Sequence, residues 1–283
     1  MSEIIHTKIE SNFLYPVIPP TAFKFGSATE VPAEILRPDG DWRDYIPEFE
    51  LQRKNGVESS ACYVEAQQHA IATIIEETFD IPNLNFSARF NALLSCGTPQ
   101  GGSPIEGGDS IRHDGLINEM LLPFADNITS WESFHSFEGG NETVCRKAGQ
   151  DWLKSWAMKY DIVAERYGTI EEKFDLLKQA LLYSPVPISV TAWWEQDGHY
   201  IKPIGMRDNH LCLALHCGDD NVVTVLDTYE PFIKKLAPNF PSEFMMRWTV
   251  TKNEKIPTYP VKNIWETIIA TIKALFKMIK WKV

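Results

Sequence analysis

The sequence lacks several signatures, and each absence removes a class of function. Its first ten residues, MSEIIHTKIE, have neither the basic start nor the apolar run of a secretory leader, so cytoplasmic synthesis in a reducing compartment is expected. It has no CxxC pair. The five cysteines, at 62, 96, 145, 212 and 217, are odd in number and widely spaced. That excludes a zinc ribbon or a thioredoxin-like redox motif and argues against a disulfide framework. His113, His135 and His199 show no ligand spacing, so neither a metal nor a cofactor is expected. Positive charge is in deficit: 27 Lys and Arg against 38 Asp and Glu give a net charge of -11. A phosphate-backbone binder needs a basic surface, so no nucleic-acid partner is expected. No internal repeat is present, and no glycine elbow surrounds Ser59 or Ser60, which read as helix caps rather than nucleophiles.

What remains is an ordinary globular mixture, 44% hydrophobic and 23% charged, in 283 residues. That length buries a substantial core without staples. The nine tryptophans read first as core filling. Five prolines in residues 1–40 (16, 19, 20, 32 and 38) predict an extended arm. A compact unit follows over 41–258, with 41–183 mainly helical and 184–258 mainly strands. Helices are predicted from Cys62 to about Phe79, from Ser110 to Met120, from Ala148 to Tyr160 and from Ile170 to Tyr183, and the glycine-rich stretch Cys96 to Gly108 as loop. Strands are predicted at Val186 to Trp194, His210 to Cys217, Val222 to Asp227 and Phe244 to Val250. The alternation is clearest in HLCLALH, where Leu211, Leu213 and Leu215 share a face. Helices first and strands after make the class α+β.

The tail, 261–283, carries Ile264, Trp265, Ile268, Ile272, Leu275, Phe276 and Ile279 at helical steps, with five lysines against Glu266. It is too polar to span a membrane. Two uses stay open: docking on this chain's own body or on a partner such as a virion component, or lying on an anionic membrane surface.

Three residues suggest chemistry. Cys62 opens a predicted helix behind NGVESSA, where the helix field favours a thiolate. His210 begins a strand and Asp227 ends the next. In a hairpin closed by Gly218-Asp219-Asp220-Asn221 the two meet at one end. A carboxylate there fixes the imidazole tautomer and favours its protonated form.

Four segments in order then resemble the papain family of cysteine peptidases: Asp41-Trp42-Arg43, Ala61-Cys62-Tyr63, Gly101-Gly102, and Asn209-His210-Leu211 followed by Leu226-Asp227-Thr228-Tyr229. The resemblance covers roughly residues 40–250 and implies a helical N-terminal half with the Cys helix packed against an antiparallel β-sheet or barrel half. It implies that Cys62 attacks a peptide carbonyl to form an acyl-enzyme, and that His210 takes and returns the proton. Asp227 stands where the family usually has Asn, and Gly101, Gly102 and Asn209 line the substrate cleft. For the oxyanion donor two residues stay open. Gln52 has the family's side chain but lies further ahead of Cys62 than is usual. Asn55 precedes a glycine as the family glutamine does, but is shorter. The arm is too short to resemble the family's inhibitory pro-domain, yet long enough to lie in the cleft. GVESSAC and DTYEPFIKKL look like papain-like proteins encoded by bacteriophages. The expected partner is a protein or peptide substrate, from a virion or a cell wall. Transglutaminase-like acyl transfer, or a virion protein that kept only the fold, are the competing expectations.

Overall fold

A computed structural model describes residues 4–9, 13–20, 22–25 and 34–253. The tail stripe at 261–283 lies outside the described residues. In chain order the elements are β1 (Ile5–His6), β2 (Arg53–Lys54), β3 (Val57–Glu58), α1 (Cys62–Phe79), α2 (Ala88–Leu94), α3 (Pro104–Asp114), α4 (Trp131–Phe134), α5 (Glu142–Ser155), β4 (Trp156–Ala164), α6 (Ile170–Leu181), β5 (Val186–Val190), β6 (Trp194–Gln196), β7 (His199–Ile201), β8 (His210–Cys217), β9 (Val223–Leu226), β10 (Ile233–Leu236) and β11 (Met245–Lys252). The class is α+β. Local chemistry sets several boundaries. Thr169 and Glu172 form a capping box on α6, and α3 starts on a Ser103 cap with proline in its first turn.

Helix α1 is the axis of the molecule. Every residue from Cys62 to Ile75 is buried, polar ones included. One side packs on β5, β8 and β11 and the other on α2 and α3. The sheet runs β1-β6-β7-β10-β9-β8-β5-β11-β4, antiparallel except where β10 meets β7. Hairpin β8–β9 brings the start of one strand and the end of the next together, so His210 and Asp227 are neighbours. Among the described residues no helix is long and apolar enough to cross a membrane.

Several expectations fail locally, among them the helix over Ser110 to Met120, which ends at Asp114. The stretch predicted as loop through Gly108 is helix from Pro104. Its glycines serve packing: a Cβ on Gly107 would lie 3.0 Å from the Tyr63 ring, and one on Gly108 2.9 Å from Gln67 Oε1. The predicted helix over Ala148 to Tyr160 ends at Ser155, and Trp156 onward is strand. There β4 pairs with β11 over most of its length, and the ladder outweighs the helical spacing. Ser59 and Ser60 do not cap α1, whose N-terminus has no side-chain cap. Ser59 Oγ accepts from the Ala61 N–H, and Ser60 Oγ donates to the Pro99 carbonyl.

Trp42 closes the core where the arm joins the compact body. It is fully buried, its indole N–H donates to the Leu181 carbonyl at 2.7 Å, and its backbone N–H donates to Leu215. Trp42→Ala removes the ring and leaves a cavity plus an unpaired carbonyl. A loss of about 3–5 kcal/mol is expected, read as a lower urea midpoint at unchanged m. A loss under about 1 kcal/mol would show that the site collapses without it.

Candidate active site

The site is assembled at the start of α1, the start of β8 and the end of β9. Cys62 is the first helical residue and is fully buried. Leu211, the residue after His210, contributes a backbone hydrogen bond that favours the Cys62 thiolate, so the sulfur sits beside the first residues of β8. Burial nevertheless dominates. It pushes the Cys62 thiol well above its usual range, and Glu65, Glu58 and Asp227 push the same way. The helix-start field expected to favour a thiolate is outweighed in this closed arrangement.

His210 is also fully buried. Its Nε2 lies 2.5 Å from Asp227 Oδ1. The other nitrogen, Nδ1, is buried with no hydrogen-bond partner among the described residues. The ring is packed by Trp193 at 5.7 Å and Tyr229 at 5.4 Å between centroids. Burial opposes charge on Asp227, but His210 and then Lys234 outweigh it and hold the carboxyl below its ordinary value.

The two oxyanion candidates part company. Residues 55 and 56 form the two-residue turn between β2 and β3, both with positive φ (53° and 79°), the geometry that favours Asn-Gly. Asn55 is therefore the exposed tip of a hairpin, and its side chain donates to Asp126 at 3.3 Å. Gln52 is fully buried beside the strand end that carries Asp227. Its Oε1 accepts from the Thr228 hydroxyl at 3.0 Å, and its Nε2 donates to Glu58 at 2.7 Å. Glu58 also accepts from the Ser60 N–H and the Tyr229 hydroxyl.

Gly101 and Gly102 border the same region. Gly101 has φ +93° and closes a turn with Thr98. A Cβ on Gly102 would fall 2.3 Å from the Tyr63 ring, so the backbone can rest on that ring only as glycine. Asn209 directs its side-chain oxygen to the Ala192 N–H at 2.8 Å, a bond that ties β8 to the end of β5.

The arm reaches both flanks. Thr7 exchanges backbone hydrogen bonds with Trp193, and β1 pairs with β6. Further along, Phe13 bridges Gly102 in parallel, and the Leu14 N–H donates to the Gly102 carbonyl at 3.1 Å. Trp193 packs on His210 and Gly102 rests on the residue after Cys62, so the two anchors flank the Cys-His pair. Phe13 is buried against Phe244.

Two residues escaped the sequence reading. Glu58 stands in the NGVESSA stretch ahead of Cys62, where nothing local points to its role. Lys234 sits in Ile-Lys-Lys-Leu, where period-two alternation puts it on the face of Leu236. A lysine at an inward strand position was the available signal.

Comparison with solved structures places the fold. Xylellain, a cysteine protease from Xylella fastidiosa, aligns with a TM-score of 0.59 at 12% identity, covering 88% of this chain and 100% of its own. Digestive procathepsin L 3 of Tenebrio molitor larval midgut gives 0.53 at 12% identity, over 81% of this chain and 73% of that one. A Carica candamarcensis cysteine protease in complex with E-64 gives 0.52 at 15%, over 74% and 96%. The chain has the papain-like α+β fold. No protein-family model and no curated protein matches its sequence.

Proposed function

We propose that this chain is a cysteine peptidase that hydrolyses peptide bonds through Cys62, His210 and Asp227. The observation that carries the reading is the polarity of the His210 ring: Nε2 is spent on Asp227 and Nδ1 is left over, beside the strand start that also bonds the Cys62 sulfur. In the reaction the thiol proton passes to the ring nitrogen, the sulfur adds to the carbonyl, and the acyl-enzyme forms as the protonated ring returns its proton to the leaving amine. Water then repeats the sequence to release the acid. Gln52 is the better placed amide for the oxyanion, provided that its Nε2 turns from Glu58 when substrate binds. The resemblance to phage-encoded proteins puts virion and cell-wall peptides first among substrates to try.

One observation favours a second reading, a papain-fold protein of weak or no activity: the Cys62 thiol is fully buried, and burial pushes it well above its usual range. E-64, which the Carica candamarcensis protease binds, separates the two. Mass spectrometry of the full chain and of an arm-displaced variant incubated with E-64 should find the adduct on Cys62, with parallel loss of peptide hydrolysis. An adduct on exposed Cys96 alone, with no hydrolysis in either chain, would retire the peptidase reading. Incorporation of an amine into peptide in place of hydrolysis would assign acyl transfer.

A further inference from the structure

Asp227 uses only one of its oxygens on His210. The other, Oδ2, is 2.6 Å from Lys234 Nζ, and both side chains are within 1% of complete burial. The ammonium also donates to the Tyr229 and Pro231 carbonyls, each at 2.5 Å, and lies 4.8 Å above the Trp193 ring. All three of its hydrogens are thus spent, and the ring that packs on His210 also packs on the lysine. A buried ammonium without such partners would be strongly destabilising. Its place on β10 is fixed by register: Lys234 pairs with Val225 on β9, one strand from His210.

The papain family that this sequence resembles usually has neutral Asn at the position of Asp227. A carboxylate there would add a full negative charge beside the ring. A lysine bonded to the far oxygen removes it again.

We propose that Lys234 is a positioning residue that holds Asp227 as half of a charge-neutral buried pair, so that the carboxylate orients His210 as an amide would. The consequence for rate rests on the peptidase reading. The electrostatic effect on the ring does not. Other charged or titratable groups face the pair: Cys62, Glu65 and His69 from α1, Tyr200 from β7, Cys212 from β8, and Tyr229, whose hydroxyl donates to Glu58 of β3. Among the salt bridges of the described residues, Asp227 is joined only by His210 and Lys234.

The test is nitrogen-15 NMR of the His210 ring against pH in the full chain, for wild type, Lys234→Met, Asp227→Asn and the double variant. Lys234→Met leaves the carboxylate unbalanced and favours the protonated ring, so the midpoint should rise by about one pH unit or more. Asp227→Asn leaves the ammonium unbalanced and should lower it by a similar amount. The double variant is neutral again and should return to within about 0.3 pH unit of wild type, because the two changes offset. A Lys234→Met chain that folds and titrates like wild type overturns the proposal. If both single variants fail to fold, the double variant decides. It must fold and titrate like wild type, and either failure overturns the pair as a neutral unit. Peptide hydrolysis is measured on the same four chains. Its absence in all, with the NMR pattern present, removes the peptidase reading and leaves the neutral pair standing.

Discussion

Cys62→Ser should abolish peptide hydrolysis, with a loss on the order of 10⁴-fold or more in kcat. The physical reason is ionisation. A buried hydroxyl beside the Leu211 N–H is far harder to deprotonate than a thiol. The replacement is nearly isosteric in a fully buried position, so stability should change by less than about 1.5 kcal/mol. That separation matters, because an unfolded variant would be inactive for a trivial reason. Hydrolysis of a fluorogenic peptide and a thermal melt on the same sample make the measurement. Residual activity within tenfold of wild type would move the nucleophile elsewhere, with exposed Cys96 the next to test.

Displacing the arm should raise activity by at least about tenfold. The arm is anchored at Trp193, which packs on His210, and at Gly102, which rests on the residue after Cys62, and an arm held there would compete with substrate from within the same molecule. An enzyme whose open form is one part in ten shows an apparent KM raised about tenfold. Leu14→Pro deletes the N–H that Gly102 accepts and is the mildest way to loosen the anchor. Deleting residues 1–20 is the stronger change, and it also removes Tyr15, over which the Arg166 guanidinium stacks at 4.0 Å. Both should lower KM with kcat nearly unchanged. The sign of the thiol shift agrees. Burial now raises the Cys62 thiol, so below that raised value it is protonated. Opening the site to water lowers it, and each unit of fall gives about ten times more thiolate at neutral pH. Alkylation of Cys62 by iodoacetamide should therefore quicken in the same variants. Unchanged KM and unchanged alkylation in a folded Leu14→Pro chain would show that the arm does not gate the site.

Short-range signals carried much of this reading. Helix α1 begins and ends where its spacing placed it, because a cysteine after a turn and an apolar face are local features. Strand β8 matches the alternation of His210 to Cys217. Asn55-Gly56 is legible as a hairpin turn from the two residues alone, and that fact sets Asn55 at an exposed tip. The first half of helix α3 was expected as loop because glycine has poor helix propensity, and propensity yields where neighbouring rings leave no room for a side chain.

The sequence by itself determined the α+β class, the bounds of α1 and β8, and the chemical types of Cys62, His210 and Asp227. These depend on periodicity, turn chemistry and spacing, all of which act over a few residues. Tertiary structure decided the rest. Only strand pairing carries Trp156 to Ala164 onto β11. Only the β9–β10 register sets Lys234 against Asp227, so the pair's neutrality was invisible to composition. Only the tertiary structure brings the arm back to Gly102 and Trp193. Burial and electrostatics are sums over groups distant in sequence, so the upward push that burial and Asp227 give the Cys62 thiol could not be read from its place at a helix start.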